Sequence, residues 1–200
     1  MFVVFDIGNV LLRWDPRILA RRLIADPERV EHFMATACGP DHLAAFDRTD
    51  DCGAVTDARA ATFPDFAAEL RAFNERWLET IDGPIAENVA LLARLKAVGR
   101  PVYALTNFAA DKFEQSRLLW PFLDSFDVAV VSGREGTIKP EPAIFEILLA
   151  RTGRAAGQLL FIDDSAANVA AARAAGIETI QYAPGLDLGG ALRARGIAGA

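Results

Sequence analysis

The sequence predicts an α/β fold: a doubly wound parallel sheet with a small all-helical segment inserted after its first strand. Three observations carry this. The chain opens on the apolar run Phe2-Val3-Val4-Phe5, which ends at a carboxylate, Asp6. Between Trp14 and about Asp82 only helical spacing of apolar residues is found. After Pro84, helix-like and strand-like stretches alternate to the end of the chain.

The opening run is short and unbroken, the pattern of a strand buried on both faces. It passes through Asp6 into a Gly8-Asn9 turn, residue types that form turns readily. Residues 16–24 and 28–37 then carry apolar residues at helical spacing, bounded by Asp15-Pro16 and Asp26-Pro27. Gly39-Pro40 ends the second of these. Phe66, Leu70, Phe73 and Trp77 are spaced for one helix face, and Phe63-Pro64 and Asp82-Gly83-Pro84 punctuate the segment. No strand is predicted there. Trp14, Phe46, Phe63, Phe66 and Trp77 are expected to pack inside the insertion and against the rest of the protein.

From Pro84 the sequence reads as a helix over 85–98 closed by Gly99, a strand over 101–105, a helix over 111–119 and a strand over 126–131. A helix over 142–151 follows, with Pro142 near its start. Then come a strand over 159–162, an Ala-rich helix over 166–175 ended by Gly176, a strand over 178–181 and a last helix over 188–195. Strands alternating with helices imply parallel pairing and right-handed crossovers. The glycines of 185–190 lack the strand-to-helix context of a phosphate loop and read as a turn.

Composition bounds the function. The 200 residues are 52% hydrophobic and 24% charged, a globular balance with ample material for a core. A net charge of −6 gives no basic surplus for nucleic acid. No stretch reaches the roughly 18 apolar residues of a membrane span. The opening strand has no basic leader, so no signal peptide is expected. Cys38 and Cys52 lack CxxC spacing, which suggests a reducing compartment; the cytoplasm is the expected location. His32 and His42 have no third ligand at zinc spacing.

The chemistry lies at strand ends. The first strand ends at Asp6, the second core strand at Thr106-Asn107, the third in a loop closing on Lys139-Pro140, and the fourth at Asp163-Asp164-Ser165. Parallel strands deliver such ends to one edge of the sheet, where α/β proteins bind ligands. Taken singly, each has a structural alternative. Asp6 could cap a turn, Thr106-Asn107 a helix, and Asp163-Asp164-Ser165 the helix after it. Lys139 could be a solvated loop lysine. Together, a carboxylate, a hydroxyl, an ammonium and two further carboxylates suit a phosphate and a divalent metal. A carboxylate can attack phosphorus and divide a hard displacement into two easier ones. Mg²⁺ would bridge Asp6, one of Asp163 and Asp164, and the phosphate. Lys139 and Thr106 would add a positive charge and a donor for the phosphoryl oxygens.

These four stretches, in this order, resemble the haloacid dehalogenase superfamily. Phe5-Asp6-Ile7-Gly8-Asn9-Val10 is similar to its first motif, Thr106-Asn107 to its second, Lys139-Pro140 to its third, and Asp163-Asp164-Ser165 with Asn168 to its fourth. The resemblance implies a Rossmann-like core (residues 1–13 and 83–200) and a helical cap (residues 14–82). It further implies a Mg²⁺-dependent phosphatase acting on a small phosphorylated metabolite through an aspartyl-phosphate. The Asp-x-Gly-Asn-Val form is similar to a bacterial subgroup that includes sugar-phosphate phosphatases. Carried over, Asp6 is the nucleophile and a metal ligand, and the Gly8 carbonyl is a second ligand. Asp164 is a direct carboxylate ligand, with Asp163 direct or one water removed. Thr106, the Asn107 amide and Lys139 hold the transferring group, and Asn168 supports the fourth loop.

One position departs from the pattern. The residue two after the nucleophile, an aspartate that protonates the leaving group in most of these phosphatases, is Gly8 here. Either the cap supplies a substitute, with Asp15 and Asp47 as candidates, or the substrate needs little help in departing. Arg13, Arg17 and Arg48 could reach an anionic substrate from the cap side, though solvation is expected for at least two. The gap keeps two alternatives in view. One is a metal-independent 2-haloacid dehalogenase using the same aspartate. The other is a non-catalytic phosphate-binding or interaction protein on the same scaffold. Asp163-Asp164 would be an expensive unpaired charge in the first, and retention of Asp6 and Lys139 argues against the second.

Overall fold

The computed structural model describes all residues, 1–200. The chain opens with β1 (Phe2–Phe5) and β2 (Leu12–Trp14). Five helices follow: α1 (Pro16–Leu23), α2 (Pro27–Ala35), α3 (Pro40–Phe46), α4 (Cys52–Thr62) and α5 (Ala67–Glu75). The chain returns through β3 (Ile81–Pro84) and then alternates. The succession is α6 (Ala86–Ala97), β4 (Val102–Thr106), α7 (Ala110–Leu119), β5 (Val128–Val131), α8 (Ser132–Glu135) and α9 (Pro142–Thr152). It closes with β6 (Leu159–Asp163), α10 (Ala166–Ala174), β7 (Glu178–Gln181) and α11 (Leu188–Arg193).

Five strands form one sheet in the order β5-β4-β1-β6-β7, with every pairing parallel. β1 therefore lies between β4 and β6, and the strand order reverses on it. The crevice at its carboxyl end is where such sheets take ligands. Val3, Val4, Phe5, Leu160, Phe161 and Ile162 have no solvent exposure, which is why these strands read as continuous apolar runs rather than alternating ones. One face packs Phe145, Ile144 and Leu148 of α9 against Phe161 and Leu105. The other face joins Val3, Phe5 and Leu95 in one apolar cluster with Leu19, Phe33, Phe73 and Trp77 of the inserted helices. The insertion therefore shares a core with the sheet.

Three differences from the sequence expectation have clear causes. β2 and β3 pair antiparallel as a two-stranded ribbon at the base of the insertion, where no strand was predicted. Asp82-Gly83-Pro84 reads locally as a turn, but Gly83 (φ +98°) and an edge proline are tolerated in a strand this short. Pro40 begins α3 rather than only ending α2, because proline at a first helical position loses no hydrogen bond. α4 was not foreseen either; its start is capped by the Asp51 side chain, which accepts from the Ala54 N–H.

Candidate active site

Asp6 follows β1 directly. Its Oδ1 accepts from the Ile7 N–H (2.7 Å) and from the Lys139 Nζ (2.8 Å). The same ammonium donates to Asp163 Oδ2 (2.7 Å) at the end of β6 and is buried with both carboxylates. Asp163 is fully enclosed. Its Oδ1 accepts from the Ser165 N–H, and the Asn168 Nδ2 lies 3.0 and 3.1 Å from its two oxygens. Ser165 caps α10, so the turn that starts that helix also orients Asp163. Asp164 points elsewhere: it is half-buried and lines the pocket beside Asp6.

Asp6, Asp163 and Asp164 can each present an oxygen within 4.8 Å of the others. Only Lys139 is paired with them, so the cluster lacks positive charge. Burial pushes the Asp6 carboxyl upward, and the charges of Asp163 and Asp164 add to this, against the pull of Lys139. Asp164 is raised for the same two reasons, burial first and Asp163 second. Burial alone would discharge Lys139, but Asp6 and Asp163 outweigh it and raise its pKa. A hard divalent cation among carboxylate oxygens would relieve this imbalance, and the donor set fits Mg²⁺. Gly8 lines the same pocket as Asp6 and Asp164. The turn after β1 is closed by Asn9 N–H to Leu12 O and Leu12 N–H to Ile7 O, which leaves the Gly8 carbonyl out of these bonds.

The tip of β4 holds two donors without protein partners. The Thr106 hydroxyl is buried and makes no hydrogen bond. The Asn107 backbone N–H has no acceptor either. The Asn107 side chain, by contrast, is fully engaged: Oδ1 accepts from the Lys139 N–H (2.7 Å) and Nδ2 donates to the Lys139 carbonyl (3.0 Å). Its side-chain amide therefore positions the lysine, and only its backbone is left for a ligand.

The two candidate acids separate. Asp15 lies outside the pocket; its carboxylate caps α1 by accepting from the Arg17 N–H (2.9 Å), because an Asp before Pro at a helix start is held by that turn. Asp47 lines the pocket. Burial raises its carboxyl from the ordinary 3.8 to about 7, against the pull of Lys139 and Arg48. The segment carrying it is fastened to the core. Ser132 Oγ donates to the Asp47 carbonyl, the Ala110 N–H donates to the Thr49 carbonyl, and Arg48 forms a two-pronged pair with Glu141. Gly133 permits this approach, since a Cβ there would lie 2.5 Å from Thr49 O. Arg13 is engaged by Asp82 and Arg17 by Glu31, and no arginine lines the pocket.

The pocket above the carboxylates is a cavity of about 230 Å³. Its apolar lining comes from Leu12, Trp14 and Ile81 of the ribbon, from Leu43 and Phe46 of α3, and from Trp77 and Phe108. Three of the aromatic residues expected to be packing only, Trp14, Phe46 and Trp77, thus face the site. Phe63 and Phe66 do not. Phe66 and Trp77 share one helical spacing, which carried no signal that distinguishes the two groups.

A sequence profile of the haloacid dehalogenase-like hydrolases matches residues 2–176. A sesquiterpene phosphatase of Aspergillus oryzae is 31% identical over 186 residues, spanning 87% of this chain and 85% of its own. An enzyme of the same family from Bacteroides thetaiotaomicron, solved with magnesium and inorganic phosphate, superimposes with a TM-score of 0.73 at 19% identity, covering 96% of this chain and 98% of that one. The L-2-haloacid dehalogenase of Xanthobacter autotrophicus, with chloropropionic acid covalently bound, gives 0.65 at 21% identity, covering 99% and 85%.

Proposed function

The chain belongs to the haloacid dehalogenase-like hydrolase family, and on that premise we propose that it is a Mg²⁺-dependent phosphatase. It hydrolyses a small phosphate monoester in the cytoplasm through an aspartyl-phosphate on Asp6. The observation that carries this reading is the charge-deficient cluster of Asp6, Asp163 and Asp164 around Lys139, set beside two unpaired donors at Thr106 and Asn107. The relative named as a phosphatase and the fold neighbour solved with magnesium and phosphate support it.

In this mechanism an Asp6 oxygen attacks phosphorus and the ester oxygen leaves as the alcohol, taking a proton from Asp47. Water then attacks the phosphorus of the acyl-phosphate, returns its proton to Asp47 and releases phosphate with Asp6 restored. Lys139, the Thr106 hydroxyl and the Asn107 N–H receive the phosphoryl oxygens. Asn168 and the Asn107 side chain hold Asp163 and Lys139 in place. Asp6, Asp164 and the Gly8 carbonyl would hold Mg²⁺, which would supply the charge neutralisation that lets a phosphate dianion approach the carboxylate.

Two predictions test the acid. Asp47 gives up its proton as pH rises through about 7, so turnover of an alkyl phosphate should fall over that range. Asp47→Asn should lower kcat for alkyl esters by about 10²-fold and abolish that descending limb. It should leave p-nitrophenyl phosphate, whose leaving group needs no proton, nearly unaffected. An unchanged alkyl pH profile would remove Asp47 from the mechanism. Separately, a Cβ at Gly8 meets nothing within 4 Å. Gly8→Asp should therefore fold normally and raise alkyl ester turnover about tenfold by adding a second acid. A rate no higher than that of the wild type would show that this position does not reach the leaving oxygen.

The decisive assay is phosphate release from a panel of esters with Mg²⁺ and with EDTA. Release that needs the metal supports the phosphatase. Halide release from 2-chloropropionate without metal would establish the dehalogenase instead, and neither activity would leave a binding role.

A further inference from the structure

We infer that the alcohol half of the substrate is a hydrocarbon and not a sugar, an inference that rests on the phosphatase reading and specifies its substrate class. The cavity has a polar floor and apolar sides. Besides polar groups at the strand ends and Asp47, its lining is Trp14, Leu43, Phe46, Trp77, Ile81 and Phe108, with Leu12.

An account of the polar groups in the same cavity leaves almost nothing for hydroxyls. Asn9 Oδ1 accepts from the Trp14 N–H (3.0 Å). Both ends of the Asn107 amide are held by the Lys139 backbone. Asp6 and Asp164 belong to the phosphoryl chemistry. Asp47 and the Trp14 indole N–H, which is buried without a partner, remain, and two such groups cannot serve a whole ring of hydroxyls. Each hydroxyl buried without a partner weakens binding by about tenfold. A hexose phosphate brings several.

Charge narrows the class further. No Lys or Arg lines the cavity above the floor: Lys139 lies beneath it between Asp6 and Asp163, and Arg13, Arg17 and Arg48 are paired with acids outside it. A substrate with a carboxylate or second phosphate would bring that charge against apolar walls and Asp47. Size agrees with a compact group. An apolar cavity of about 150 Å³ admits benzene, so about 230 Å³ accommodates a phosphoryl group with a ring or branched chain of that order. Withdrawing such a group from water against aromatic and aliphatic walls is favourable, and it brings no polar atom of its own that needs a partner.

The test is a matched pair of esters with the full-length, Mg²⁺-loaded protein: cyclohexylmethyl phosphate and glucose 6-phosphate. Both are esters of a primary alcohol on a six-membered ring, so they differ mainly in ring hydroxyls. Acetyl phosphate, too small to touch the upper walls, reports phosphoryl transfer by itself. The expected result is kcat/KM about 100-fold higher for cyclohexylmethyl phosphate. Leu43→Asn, at a half-buried wall position, should narrow that preference about tenfold, mainly by raising KM for the apolar ester. Glucose 6-phosphate turned over as well as the apolar ester would overturn the inference and leave the phosphatase standing. So would a Leu43→Asn enzyme with its preference unchanged. No metal-dependent release from any ester, acetyl phosphate included, would overturn the phosphatase reading itself and this inference with it.

Discussion

Asp6→Asn is expected to lower kcat by about 10⁴-fold or more while leaving the protein folded. The amide keeps the size of the carboxyl and can still accept from the Ile7 N–H and the Lys139 ammonium, so local geometry survives. It cannot attack phosphorus. The effect on stability has a definite sign. In the fold the Asp6 carboxyl is raised, by burial and then by Asp163 and Asp164. Its folded state therefore favours the protonated form, an advantage complete below the unfolded pKa and lost as pH rises through the folded one. At neutral pH without metal, folding of the wild type must draw a proton onto this carboxyl or bury its charge, and the neutral amide avoids both. Thermal unfolding in EDTA should consequently show Asp6→Asn at least as stable as the wild type, while phosphate release is lost. A variant that keeps even a tenth of wild-type turnover would show that another group attacks phosphorus.

Lys139→Met has the opposite signature, losing both activity and stability. The lysine is the sole cation between Asp6 and Asp163, with ion-pair distances of 2.8 and 2.7 Å, and all three groups are buried. Removing one member of a buried ionic cluster leaves the others uncompensated and costs about 3–5 kcal/mol. Turnover should fall about 10³-fold because the transferring phosphoryl loses its fixed positive charge. Urea unfolding of Lys139→Met, Asp163→Asn and the double variant separates the two effects. The double variant should recover much of the stability lost in Lys139→Met, since the neutral Asn no longer needs a counter-charge, and none of the activity. Additive stability losses would show that the lysine does not act through Asp163.

The strand ends were legible because they depend on local pattern and one topological rule. An apolar run ending in Asp6, another ending in Thr106, and a third ending in Asp163-Asp164 need only parallel pairing to converge, and the sheet pairs them in parallel. The antiparallel ribbon of Leu12–Trp14 with Ile81–Pro84 was not legible. Its second strand carries Gly83 and Pro84, whose local preference is for a turn, and its partner is almost seventy residues away. The division of labour at Asn107 was equally hidden. An amide following a strand can meet phosphate or backbone, and only the approach of the Lys139 loop made it the lysine's anchor.

The sequence by itself determined the fold class, the edge of the sheet where the candidate site lies, and the types of group gathered there. Those follow from short-range periodicity and from residue types whose chemistry does not depend on their neighbours. Tertiary structure decided which acid faces the site and what surrounds it. Asp15 and Asp47 look alike in sequence. Asp15 became a helix cap, whereas Asp47 is held in the pocket by Ser132, through a contact spanning 85 positions of chain. Trp77 shares its spacing with the buried Phe66, Leu70 and Phe73, yet it lines the cavity with Trp14 and Phe46 because the ribbon, α3 and the segment after α5 come together there. Periodicity states that a side chain is covered. What covers it, another side chain or a substrate, is set by contacts between distant parts of the chain.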